Sequence, residues 1–505
     1  MHKLTTGIIF SLILGAILFV NYYPHYYALL KTPKKYSYSG QASWFDPWDI
    51  NSYFSIIKQA QKKKSIFLDN INTTETGKAA LIYPLYTTAG ILFPKIDNIL
   101  LYHLLAIICG TLLAFGIYIL SYTLVKNAYY ALYILLLVAF GGGFGFLFPS
   151  VGADLNIPGV TFLSTFQKPH EAVAALFYIS SLVFFYLAIK KRHKFYWLIS
   201  VLTLISLIPI YPYRLLSFFL IAGVFVLVFS EKSKERYPYK YLATLSTIIL
   251  PPALVYIYHF LSSGFGVLIG YKRPSISLIS LLLGYGIFIL FFIYQLFLKN
   301  KKSPLEIFLN IWIIVSLGLS ALPLGISRFY LSGLLFPLSI LFVSSLNKLS
   351  GRLLMPVVSI IFIFSFIAAP SSLYIFNRRM AEVKNNNIWY YLSEPVKQGI
   401  DFLGSSEKDG VLVFPPLSSF IPAYTAKRVY FGLKEQTPDY DNKVNNAVQL
   451  YLGKLEEKEA ENFLKKNYIN FVVITDQEKQ LGEFSYSFLS SVYKNKEIEI
   501  LSFSE

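Results

Sequence analysis

Apolar and polar positions in this chain are arranged in long blocks. Runs of about twenty apolar residues, enough to cross a hydrocarbon core, fall near 5–22, 99–124, 129–148, 172–189, 195–210, 213–230, 241–262, 275–298, 305–323, 329–346 and 353–370. They predict a polytopic bundle of about 11 transmembrane helices. The pairs 195–210/213–230 and 305–323/329–346 read as tight hairpins. A long stretch, 23–98, separates the first two spans. Within it, Tyr53 to Lys64 has the pattern of an amphipathic helix able to lie along the outer membrane surface. From about Ser371 the blocks stop, and mixed charge and short alternating segments take over. Val411-Leu412-Val413-Phe414 and Phe471-Val472-Val473-Ile474 read as buried strands. Glu456 to Asn467 reads as a helix with Phe463 and Leu464 inward. The fold class is therefore mainly α: a membrane bundle over 1–370, including loop 23–98, and a small C-terminal α/β domain over 371–505.

Orientation follows from Lys and Arg in the short loops. With the N-terminus inside, the cytoplasmic loops hold Lys126, Lys190 to Lys194, Lys232 to Lys240, Lys299 to Lys302, and Lys348 to Arg352. Together with Lys3 that is about 15 basic residues. The short outer loops hold only Lys168, Arg214, Lys272, Arg273 and Arg328. An odd number of spans then places the C-terminal domain outside the cytoplasm, in a plasma (inner) membrane. The first apolar run lacks a small-residue cleavage site, having Asn21-Tyr22-Tyr23 there instead, and reads as an uncleaved span.

Composition sharpens this picture. Only 14% of residues are charged, against about a quarter in soluble proteins. The net charge of +17 would suggest nucleic acid in a soluble protein. Here it lies in the orienting loops, and no basic stripe is interleaved with aromatics, so no nucleic-acid partner is expected. The single cysteine, Cys109, has no internal disulfide partner and no zinc set.

Ionisable candidates map to the outer face. In Trp44-Phe45-Asp46-Pro47-Trp48-Asp49, two carboxylates are flanked by aromatics. One could take a proton from an acceptor hydroxyl while the rings stack on a sugar. Equally, both acids could cap the following helix. In Gln167-Lys168-Pro169-His170-Glu171, Pro169 and Glu171 suit a helix start, which leaves His170 without a structural account. Arg214, in Tyr211-Pro212-Tyr213-Arg214, and Arg328, in Ser327-Arg328-Phe329, lie where the orientation rule disfavours arginine. A lipid phosphate is a natural partner for each, and snorkelling to headgroups is the plainer reading. His103 reads as an interhelical hydrogen-bonding residue. Gly141-Gly142-Gly143-Phe144-Gly145 lacks the strand and lysine of a phosphate loop, and fits close packing or a flexible span end.

Assembled, these parts resemble the polytopic GT-C-type membrane glycosyltransferases, in a bacterial branch. The likeness rests on Asp49-Ile50-Asn51-Ser52-Tyr53 running on to Gln59, Lys168-Pro169-His170-Glu171, Ser327-Arg328-Phe329 with Gly333 and Pro337, and Val429-Tyr430-Phe431-Gly432. It implies sugar transfer from a polyprenyl-phosphate-linked donor to an extracytoplasmic acceptor: a cell-envelope glycan, lipid or protein. By position, Asp49 would be the base. Asp46 would assist it, or share a divalent cation (Mg or Mn) if one is used. His170, Glu171, Arg214 and Arg328, with Trp48 and Tyr53, would bind substrate. The chain departs from several GT-C groups in having no adjacent acidic pair in the first loop, and it lacks the Trp-Trp-Asp motif of oligosaccharyltransferases. The rival readings are a transporter or lipid flippase, which predicts broken helices, and a non-enzymatic envelope assembly protein.

Overall fold

The computed structural model describes residues 2–269, 276–297, 302–349, 369–482 and 485–503. The expected span 353–370 lies outside these residues except at its last two positions, and Lys272, Arg273, Lys299, Lys301 and Arg352 lie outside them altogether. Eight described helices are long and apolar enough to cross a membrane: Leu4–Leu30, Asn98–Val125, Ala128–Leu147, Pro169–Lys191, Arg214–Ser233, Tyr237–Leu261, Pro304–Ala321 and Ser327–Ser345. At about 1.5 Å rise per residue each approaches or exceeds the thickness of the hydrocarbon core. This is the helix content of a multi-pass membrane protein. The expected span at 195–210 is a shorter helix, Lys194–Leu207. The one expected at 275–298 is two helices, Leu278–Tyr285 and Ile287–Phe297, bent by 100°. Counting that pair as one span gives nine among the described residues, fewer than the eleven expected. The break has a local cause. Gly286 adopts φ +50°, which favours glycine, and a Cβ there would approach the Gly143 Cα to 2.9 Å.

The chain forms two compact units. One comprises Met1–Pro24, Leu104–Ile257 and Lys272–Arg379; the other comprises His25–His103, Tyr258–Tyr271 and Met380–Glu505.

In the first unit, the N-terminal helix His2–Leu30 carries Pro24 in its interior. Proline supplies no N–H to the carbonyl four residues back. The fully buried Arg379 fills that gap, donating from Nη1 to the Val20 carbonyl at 3.2 Å and from Nη2 to the Asn21 carbonyl at 2.9 Å. The glycine tract is a packing device. Phe144 N–H donates to the Leu283 carbonyl at 2.6 Å, and Gly143 N–H donates to Asp154 Oδ2 at 2.9 Å. A Cβ on Gly145 would overlap the Asp154 carboxylate. Of the two readings of this tract, the structure has the close-packed one.

In the second unit, a four-stranded sheet runs in the order Val411–Leu412, Phe471–Thr475, Ile498–Phe503, Leu489–Lys494. The first pair is parallel and the others antiparallel. The two predicted strands are therefore present. The predicted helix is Glu457–Lys466, with Leu464 buried and Phe463 partly so. Loop 23–98 contributes helix Pro47–Lys63 and helix Pro84–Leu92. Pro47–Lys63 starts earlier than expected, and protein rather than a lipid surface covers its apolar side. Ile50, Phe54, Ile57 and Ala60 are buried, and the helix packs on Leu417–Thr425 and Pro84–Leu92. Asn98 ties this arrangement together, donating its amide to the Phe54 and Ala423 carbonyls at 3.1 and 3.0 Å.

Candidate functional site

In the first unit, four of the sequence candidates lie in one cationic and aromatic cluster. Pro169 opens helix Pro169–Lys191, as a residue without a free N–H suits a first turn. This places Lys168, His170 and Glu171 together, with the Lys168 ammonium 3.8 Å from the Glu171 carboxylate. Arg214 begins helix Arg214–Ser233 and is 2% exposed. Its guanidinium lies between two aromatic faces, 5.4 Å from the Tyr178 ring and 5.1 Å from the Tyr211 ring. The His170 ring meets Tyr211 edge-on at 5.7 Å. Tyr211 contacts Tyr213 at 5.1 Å and Phe329 at 6.3 Å, and Tyr213 contacts Phe329 at 5.2 Å. Arg328 lies over Phe329 at 5.1 Å, in the short helix Ser327–Leu331. The cluster thus brings together Lys168, Arg214, Arg328 and the carboxylate of Glu171.

Its hydrogen bonding is incomplete. Arg214 Nε and Nη1, Arg328 Nε and the Tyr330 hydroxyl are buried atoms with no hydrogen-bond partner among the described residues. Buried cationic groups without acceptors are costly, and they favour an incoming anion. The guanidinium fork fits phosphate oxygens, and the aromatic walls lower the local dielectric.

The other four candidates belong to the second unit. Asp46 occupies the N-cap position of Pro47–Lys63 with φ 47° and makes no side-chain cap bond, so capping does not explain its carboxylate. Asp49 is in the first turn, its N–H donating to the Asp46 carbonyl at 3.0 Å. There its charge complements the helix dipole. Trp48, 37% exposed, meets Trp389 at 6.1 Å. Tyr53 is 6% exposed and lies among Tyr83, Tyr86 and Tyr102 at 5.6, 5.4 and 6.3 Å. Its environment is that of a core aromatic.

Several participants carry little signal in the sequence. Tyr178 reads there as one more residue of an apolar span; in the structure its hydroxyl hydrogen-bonds Ser217 Oγ at 2.9 Å. Tyr211 and Phe329 flank the arginines in sequence, which is the available signal. Asp154 is fully buried beside the glycine tract. Burial pushes its carboxyl pKa above the usual range, against donors from Ser371, Gly143 and Gly145. His103 hydrogen-bonds the Gly40 carbonyl through Nε2 at 2.6 Å, and its ring meets His25 of the N-terminal helix at 4.9 Å. No three His, Cys, Asp or Glu side chains converge as a metal set among the described residues.

No protein-family model matches the chain, and no curated protein does. Solved structures do, among them three of the Archaeoglobus fulgidus oligosaccharyltransferase. The apo form matches with TM-score 0.56 and 14% identity, over 93% of this chain and 69% of that one. The complex with Zn and sulfate matches with TM-score 0.60 and 15% identity, over 92% and 68%. The complex with an inhibitory peptide and a dolichol-phosphate matches with TM-score 0.59 and 15% identity, over 95% and 70%. At such identity the likeness is one of fold: the chain shares the fold of the Archaeoglobus fulgidus oligosaccharyltransferase.

Proposed function

We propose that this chain is a membrane glycosyltransferase of the bacterial GT-C branch. It moves a sugar from a polyprenyl-phosphate-linked donor to an extracytoplasmic acceptor. The observation that carries the reading is the set of buried guanidinium N–H groups, Arg214 Nε and Nη1 and Arg328 Nε, that lack acceptors among the described residues. A lipid-borne phosphate supplies both the charge and the oxygens. The dolichol-phosphate held by the structural neighbour supports that donor class. Neither the Zn of another complex nor the peptide is needed for it.

In this mechanism the acceptor hydroxyl oxygen forms a bond to the sugar C1, and the C1–O bond to phosphate breaks. The proton passes to the Asp49 carboxylate, with Asp46 assisting. The phosphate leaves with the bonding pair, and Arg214 and Arg328 stabilise its growing charge. His170 and Glu171 hold the cationic wall, and Trp48 receives the acceptor. The membrane domain 1–370 carries the spans, N-terminus inside a plasma membrane, and region 371–505 lies outside and binds or covers the acceptor.

The test is a transfer assay with polyprenyl-phosphate sugars in membranes, comparing the wild type with Asp49→Asn. The variant should lose at least about a hundredfold in rate. Equal turnover would remove Asp49 as base. One observation favours the transporter reading: the 100° break at Gly286. Release of labelled lipid from vesicles without transfer would decide for it.

A further inference from the structure

Resting on the reading above, we infer that the acceptor is itself a saccharide, seated on a two-indole platform made by Trp48 and Trp389. The two rings meet at 6.1 Å and 64°, and Trp389 backs onto Phe420 at 5.9 Å. Trp48 keeps 37% of its surface exposed. An exposed tryptophan alone says little, but the backbone that carries Trp389 is held by several bonds. Ser39 Oγ donates to the Trp389 carbonyl at 2.6 Å, and Trp389 N–H donates to Asn387 Oδ1 at 2.8 Å. The Tyr390 hydroxyl donates to the Ser43 carbonyl at 2.8 Å. Strand Tyr36–Tyr38 pairs antiparallel with Tyr391–Ser393 immediately beyond. The Trp389 ring thus sits on an ordered backbone and against Phe420 before a ligand arrives, which lowers the ordering cost of binding.

The polar surroundings select the ligand. Asp49 follows Trp48 directly and Asp46 lies two residues before it; both are partly buried. A pyranose has an apolar C–H face that lies on an indole and hydroxyls at its rim that donate to carboxylates. An exposed indole face beside carboxylates serves both parts of one sugar ring. A peptide acceptor would need backbone partners rather than an indole face.

The experiment measures binding without donor, so it is separate from turnover. Full-length protein in nanodiscs is titrated with glucose, mannose and N-acetylglucosamine trisaccharides and with a Ser/Thr/Asn-containing peptide. The readouts are tryptophan fluorescence and saturation-transfer NMR. At least one trisaccharide should bind, with saturation transfer strongest on its C–H face. Trp389→Ala should weaken it tenfold or more, and Trp389→Phe, which keeps a ring, should recover most of the loss. Thermal melting of both variants separates this from misfolding: a Trp389→Phe protein that melts like wild type and binds less than wild type still reports on the indole. Absence of binding by all three trisaccharides, wild-type affinity in Trp389→Ala, or binding of the peptide alone overturns the platform. If saccharide binds while Asp49→Asn turns over normally, the platform stands and the proposed base falls.

Discussion

Arg214 concentrates the tension on which the functional reading depends. It is 2% exposed, it is sandwiched by Tyr178 and Tyr211, and two of its nitrogens have no acceptor among the described residues. A folded protein gains little from such a residue unless something binds there. Arg214→Met should therefore melt at or above the wild-type temperature while losing transfer by about a hundredfold or more. Loss of both stability and activity would make Arg214 a packing residue. Lys443 tests electrostatics in the other unit. Its ammonium donates to Thr73 Oγ1 at 2.7 Å and pairs with Glu75 at 2.8 Å. Burial pushes its pKa below the usual lysine value, with Glu75 pulling it back up. The folded state thus holds this proton less tightly than the unfolded chain. Below the folded pKa the burial penalty is present in full, and it is relieved as pH rises towards the unfolded value of about 10.4. Melting curves of wild type and Lys443→Met should converge or cross in the wild type's favour as pH rises through that window. A difference independent of pH would refute the assignment.

Where proline removes a helix donor, a side chain can supply another. Pro24 leaves the Val20 carbonyl without its helical donor, and Arg379 supplies one. Arg379→Met should cost about 1–3 kcal/mol, because buried carbonyls lose their donors. Adding Pro24→Ala should return part of it, since the substituted residue has an N–H that can close the helix bond. A double-mutant cycle in an SDS unfolding assay reads this coupling, and strictly additive losses would show the two sites to be independent. At the break between Leu278–Tyr285 and Ile287–Phe297, Gly286→Ala places a Cβ at φ +50° and 2.9 Å from Gly143. A loss of about 1–3 kcal/mol is expected in the same assay. A neutral substitution would mean that the bend relaxes easily.

At the scale of the whole molecule, orientation is the testable quantity. The asymmetry of Lys and Arg among short loops predicts that 190–194 and 232–240 face the cytoplasm. In a Cys109→Ala background, Lys234→Cys should react with an impermeant maleimide only in inside-out vesicles, and Lys458→Cys only in intact cells. The reverse pattern would invert the topology and move the carboxylate-bearing loop away from an extracytoplasmic acceptor.

That this is a multi-pass helical membrane protein was legible in the order of its residues. Hydrocarbon imposes a minimum length on every apolar run, and a run such as 99–124 satisfies it without help from any other segment. The strands at 411 and 471 and the helix ending near Lys466 were legible for a similar reason, since each carries its own periodicity. The ionisable candidates were legible as residues out of place, Arg214 and Arg328 above all. Tertiary structure alone decided which of them share surroundings. His170, Arg214 and Arg328 come together through Tyr211 and Phe329, and Trp389 reaches Trp48 across most of the chain. It also decided that Tyr53 is core and that an apparent span breaks at Gly286. Contacts between distant segments depend on packing complementarity, which leaves no periodic trace in either segment alone.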